Sequence, residues 1–184
     1  MLNLNEWYEQ GMSIETYIQS MQTHKENLLH IYERFAINES ADLEEVADRA
    51  LRTIVITEDW CGDAMVNMPI LMRISEKTNM KLSILQRDQN LELMDQYLTN
   101  GKSRSIPIFI FLDEQGNEFS KWGPRAEPVQ QRVDELMNQL PDKQSPTFND
   151  ERKKAIQQLT AMYRENEQVW DEVFTSIMET LKKA

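Results

Sequence analysis

The chain has 184 residues, 40% hydrophobic and 28% charged, with 20 basic against 31 acidic side chains and a formal net charge of −11. That length suits one ordinary domain with helical extensions, and the charge opposes nucleic-acid phosphates and acidic membrane surfaces. No apolar run approaches the ~20 residues of a membrane-spanning helix, so neither a nucleic-acid nor a membrane partner is expected.

The opening Met-Leu-Asn-Leu-Asn-Glu-Trp is acidic and polar, unlike a signal peptide. Trp7 and Tyr8 come first, Gly11 interrupts, and Ser13 is placed to cap a long helix running to about residue 37. Ile14, Met21, Leu28 and Phe35 recur every seven residues, with Ile18 and Tyr32 between them, which draws an apolar stripe needing a partner surface. His24 and His30 on this helix read as solvated. Asn38-Glu39-Ser40 breaks the pattern, and a shorter helix follows over about 41–51 with Val46, Ala47 and Ala50 inward.

Residues 53–57 are rich in β-branched side chains and apolar on both faces, as a central buried strand should be. A short polar turn then leads to Cys61, the only cysteine in the chain, at the mouth of a helix predicted over 62–78. Met65, Met68, Leu71 and Ile74 mark its buried side, and Pro69 inside it removes a hydrogen bond and kinks the axis. A second strand is predicted over 81–86, then a short helix capped by Asn90, carrying Leu91, Met94 and Leu98 and ended by Gly101.

A third apolar strand spans 107–112, a turn at 113–117 leads to a wetter strand over 118–122, and Pro128 opens a helix with Val129, Val133, Leu136 and Leu140. After a linker at 141–147, the remainder reads as one long helix with Ile156, Leu159, Tyr163, Trp170, Val173, Ile177 and Leu181 on one face. The methionines, 11 in all, fall mostly at helical spacing and read as core filling. Two histidines and a single cysteine provide no zinc or iron ligand set, and no calcium-loop spacing occurs, so neither a metal nor a cofactor is expected. An unpaired cysteine without an export signal points to the cytoplasm.

Three features of the central stretch carry a resemblance. Trp60-Cys61-Gly62-Asp63-Ala64 opens a helix, Pro69 follows the cysteine by eight residues, and Ile106-Pro107 precedes a buried strand. Together with the element order they resemble the thioredoxin-fold superfamily, and in particular bacterial thioredoxin-like proteins with a Trp-Cys-Gly-Asp turn. The resemblance covers roughly residues 42–140. It implies an α/β fold: a four-stranded mixed sheet flanked by helices, with extra helices at both ends. The division expected is 1–41 as an N-terminal helical extension, 42–140 as the thioredoxin-like domain and 141–184 as linker and C-terminal helix. The terminal helices pack on the core or against a second subunit, which makes a homodimer one expectation.

Two departures accompany the resemblance. Ala64 stands where the family has its second cysteine, and Val55 stands where dithiol members bury an aspartate assigned to proton transfer. Cys61 therefore has no resolving thiol, and a mixed disulfide on it would wait for an external thiol. The helix amino terminus favours thiolate, but Glu58, Asp59 and Asp63 crowd acidic charge around the sulfur, so only modest activation is expected. Arg104 and Arg125 are the cations that folding would have to bring near. Against the catalytic reading stands a plainer one, in which Cys61 packs under the turn as an inheritance from a dithiol ancestor.

The neighbours have paired readings too. Trp60 shields the thiol or caps the core. Asp63 stabilises the first helical turn or acts as a general acid, and Arg125 contacts an anion or simply pairs within its loop. In the family, a cis Ile106-Pro107 bond places the Ile106 backbone beside the cysteine, free to bind an extended peptide. The reading is thus a monothiol participant in thiol–disulfide exchange, with Cys61 reactive and Trp60, Gly62, Asp63, Ile106 and Pro107 lining a substrate groove. Its partner would be a protein or a low-molecular-weight thiol or disulfide. The alternative is a redox-inactive interaction module on the same fold. A glutathione-transferase-like enzyme ranks behind both, because helices here lie on both sides of the core.

Overall fold

The computed structural model describes residues 3–37 and 41–183. Its centre is a four-stranded sheet in the order β2-β1-β3-β4, formed by β1 (Arg52–Thr57), β2 (Lys81–Gln86), β3 (Ile108–Leu112) and β4 (Glu118–Trp122). β1 runs parallel to β2, while β3 is antiparallel to both β1 and β4. The two interior strands are covered on both faces, so their sequences are apolar without alternation: every residue of β3, and residues 53–57 of β1, are buried. Register sets Ile56 opposite Ile108, which brings the segment leaving β1 beside the segment entering β3.

The helix α5 (Gly62–Thr78) makes the crossover from β1 to β2. It is buried on nearly all sides, because α3 (Lys25–Arg34), α4 (Ala41–Ala47), α8 (Phe148–Glu165) and α9 (Glu167–Lys182) all pack against it. Pro69 lies within it and is itself buried. The N-terminal segment is sewn to the outer edge of the sheet. Met12 and Ile84 exchange backbone hydrogen bonds of 2.9 Å in both directions, which occupies part of the β2 edge. A Cβ on Gly11 would fall 1.9 Å from Ser83 Oγ and 3.1 Å from the Ile84 nitrogen, so a side chain there would have to displace the Ser83 hydroxyl.

Several expected boundaries shift. Gly11 does end a first helix, α1 (Leu4–Gln10), but the helix expected from Ser13 to about residue 37 is two helices, α2 (Ile14–Ser20) and α3, and the apolar stripe crosses the break at residues 21–24. Asp59 makes that break, its Oδ2 accepting the N–H groups of Gln22 at 2.6 Å and Thr23 at 3.1 Å. Of the stripe, Met21, Leu28 and Phe35 are buried while Ile14, Ile18 and Tyr32 are only half covered, and Tyr17 and Ile31, outside the stripe, are buried as well. Neither histidine is fully solvated: His24 is half-buried and His30 sits between Glu165 and Arg164.

The expected break at Asn38-Glu39-Ser40 lies outside the described residues. α4 ends earlier than expected, and Ala50 is exposed with φ 49°. The helix after β2, α6 (Leu91–Met94), is a single turn; Asn90 does not cap it, its amide donating to Gln86 O at 2.7 Å instead. α7 (Glu127–Asn138) starts one residue before Pro128. The C-terminal helix is two helices rather than one, because Asn166 caps a new start by accepting from Gln168 N at 3.0 Å. Ile156, expected on the apolar face, is 44% exposed on α8.

Candidate functional site

Cys61 is the N-cap of α5. The turn before it closes through Cys61 N–H to Glu58 O at 3.2 Å, and Ala64 N–H donates to its Sγ at 3.4 Å. The thiol in turn donates to Ile106 O at 3.3 Å, and the Ile106–Pro107 peptide bond is cis. Helix amino terminus, sulfur and the entry to β3 therefore meet at one point, with Cys61 only 8% exposed. The Ile106 carbonyl is occupied by the thiol, which corrects the expectation that this backbone group is free.

The electrostatics oppose ionisation. Burial pushes the Cys61 thiol up from the ordinary value near 9 to about 11, and the Asp63 carboxylate adds to the push. The Ala64 and Asp63 N–H groups and the Arg125 guanidinium pull the other way without prevailing. The modest activation expected from the sequence is replaced by a thiol held in its protonated form. Glu58 and Asp59 are engaged by backbone groups away from the α5 start: Glu58 accepts from Asp88 N at 2.9 Å, and Asp59 holds the α2–α3 break.

The two arginines are both engaged. Arg104 pairs with Asp95, Nε to Oδ1 at 2.6 Å and Nη2 to Oδ2 at 2.8 Å. Arg125 grips Asp63 with two bonds of 2.6 Å, Nε to Oδ1 and Nη2 to Oδ2, and its Nη1 reaches Gln130 Oε1 at 2.8 Å. Tyr163 from α8 adds a third donor, its hydroxyl 2.7 Å from Asp63 Oδ1. Arg125 is thus a pairing residue here rather than a free anion contact, and Asp63 is a bound carboxylate rather than an available general acid. Tyr163 and Gln130 were not legible as site residues, since in the sequence one belongs to an apolar stripe and the other to a solvated face.

Trp60 is 48% exposed, the most open large side chain beside the cysteine, and the Arg87 guanidinium lies 4.8 Å over its ring. That disposes of Trp60 as a core cap. At Gly62 nothing lies within 4 Å of where a Cβ would project. On the other side, Tyr17 OH and Thr57 Oγ1 are buried side by side, neither with a well-formed hydrogen bond. Gly123, with φ 127°, packs its α-carbon directly onto the Pro107 carbonyl, and its own bond to Pro124 is also cis. Among the described residues no group of three or more His, Cys, Asp or Glu side chains is placed to hold a metal, and no helix is long and apolar enough to cross a membrane.

A family model described as thioredoxin matches residues 11–138. The chain belongs to the thioredoxin family. Solved structures agree on the fold of this thioredoxin-family protein. An HIV epitope-scaffold is similar over 100% of this chain and 99% of its own, with a TM-score of 0.68 and 15% identity. A protein of unknown function from Pseudomonas aeruginosa is similar over 88% of this chain and 97% of its own, with a TM-score of 0.63 and 18% identity. No curated protein matches the chain. In this family member, positions 55 and 64 hold Val55 and Ala64, 0% and 2% exposed. Val55 is flanked in the sheet by Ile84 and Phe109, both buried and apolar.

Proposed function

We propose that this thioredoxin-family protein is a cytoplasmic monothiol participant in thiol–disulfide exchange, of the type with a Trp-Cys-Gly-Asp turn and no second cysteine. The observation that carries the reading is the hydrogen bond from Cys61 Sγ to the Ile106 carbonyl at the amino terminus of α5. In the reaction, the Cys61 thiolate attacks one sulfur of a disulfide R–S–S–R′ and forms Cys61–S–S–R. R′–S⁻ leaves and takes up the proton that Cys61 gave up. An external thiol then attacks the mixed disulfide, releasing R as a new disulfide and returning Cys61 to its reduced form. No net electrons stay on the protein.

With the thiol near 11, roughly one Cys61 in ten thousand is ionised at pH 7 in the resting protein. Exchange therefore depends on a substrate that enters beside Trp60 and Gly62 and takes the Ile106 carbonyl from the thiol. An extended peptide segment lying along Ile106-Pro107 has the N–H groups to do so. The second reading, a redox-inactive interaction module, draws on the burial of Cys61.

Incubation with glutathione disulfide, followed by intact-mass spectrometry and peptide mapping, separates the two. Exchange gives one glutathione adduct on Cys61, reversed by added thiol. An unmodified folded protein after prolonged exposure at pH 8 would discard the exchange reading and leave the interaction module.

A further inference from the structure

The helix α8 reaches the cysteine through a single carboxylate. Both Asp63 oxygens are held, Oδ2 by Arg125 Nη2 and Oδ1 by Arg125 Nε and the Tyr163 hydroxyl. The side chains of Asp63 and Arg125 are only 14% and 24% exposed, and Tyr163 is 2% exposed. Little water reaches this cluster to substitute for a lost donor. Tyr163 is itself fixed from α9, because Trp170 Nε1–H donates to its carbonyl at 2.7 Å. We infer that Tyr163 is a positioning residue for Cys61, acting through Asp63, so that α8 is part of the reactive site.

The physical link is charge. Asp63 lies two positions from Cys61 on the same helix turn, and its carboxylate disfavours a second negative charge on the sulfur. How strongly it does so depends on how much of that charge its three donors absorb. The other ionisable groups facing the thiol are Tyr17 from α2 and Arg125 ahead of α7. Glu58 and Asp59 on the preceding turn are committed to backbone N–H groups elsewhere. Asp63 with its donors is therefore the adjustable part of the field at Cys61, and one of those donors comes from the C-terminal helices.

This inference rests on the proposed reactivity of Cys61, but it is tested by alkylation, which needs only the thiolate and no disulfide exchange. The rate of iodoacetamide labelling is followed against pH in the full chain, as wild type, Asp63→Asn, Tyr163→Phe and the double variant, with near-ultraviolet circular dichroism to verify folding. Asp63→Asn speeds labelling at pH 8 about tenfold, the effect of lowering the midpoint by one unit. Tyr163→Phe slows it at least about twofold, and in the Asp63→Asn background it changes nothing, because its route to the sulfur is gone. Arg125→Lys, which loosens the two-bond grip on Asp63 while keeping the positive charge, also slows labelling. Equal effects of Tyr163→Phe with and without Asp63, or none in either, would overturn the inference. A failed glutathione test with this cycle intact would count against the exchange reading alone.

Discussion

Gly123 and Pro107 are packed so closely that a Cβ on Gly123 would lie 2.2 Å from the Pro107 carbonyl oxygen. The loop leaving β4 thus lies on the backbone that presents Ile106 to Cys61. Only glycine fits, because the contact is with backbone and φ is 127°, where side chains are strained. Gly123→Ala should destabilise the protein by about 3 kcal/mol, a fall of roughly 6–12 °C in melting temperature for a chain of this size. A melting temperature within 1 °C of wild type would contradict the packing.

The buried thiol makes stability depend on alkaline pH. Cys61 in the fold holds its proton up to about 11, against an ordinary value near 9. In that window the unfolded chain has lost a proton that the folded chain retains, so stability falls as pH rises. The contribution is complete below about pH 9 and is lost by about pH 11, amounting to roughly 2–3 kcal/mol. Denaturant melts of wild type and Cys61→Ala at pH 8 and pH 10.5 check it. Wild type should lose more stability than the variant between the two values, and parallel losses would place the thiol elsewhere.

The sheet was legible because interior strands carry their own signature: Ile54-Val55-Ile56 and residues 108–112 are apolar without a break, and both are covered on both faces. The helix ends were not legible where a distant residue makes them. Periodicity runs through residues 21–24 unbroken, and the break comes from Asp59, 36 and 37 positions away. The meeting of Cys61 with Ile106 followed from a resemblance to known thioredoxin-like proteins rather than from spacing. Tyr163, 100 positions from Asp63, had no signal at all: a tyrosine in an apolar stripe fits a core position equally well, and its hydroxyl's partner is decided by tertiary packing.

Asp59 joins the turn before Cys61 to the N-terminal helices, accepting two backbone N–H groups at 2.6 and 3.1 Å. Asp59→Ala leaves both donors without their carboxylate and should cost about 1–3 kcal/mol, the range for a cap with charge-assisted bonds. The loss is local before it is global. In hydrogen exchange the amides of Gln22 and Thr23 should lose protection, while those of β1 and β3 keep theirs. Uniform loss of protection across the sheet would argue instead that the cap holds the whole fold.

Restoring a thiol at position 64 asks whether the site still handles protein disulfides. Ala64 is one turn into α5, buried, with its N–H on the Cys61 sulfur at 3.4 Å, so a sulfur introduced there would approach Cys61 at the helix start. Ala64→Cys should close an intramolecular disulfide on mild oxidation and, once reduced by dithiothreitol, should accelerate insulin reduction where the wild type does not. The rate should stay below that of dithiol family members, because Val55 provides no carboxylate to take the proton from the second thiol and Cys61 must still give up its proton from near 11. A variant that forms the disulfide yet leaves insulin untouched would mean that the Ile106-Pro107 face no longer receives an extended chain. In that case the thiol chemistry would belong to small disulfides alone.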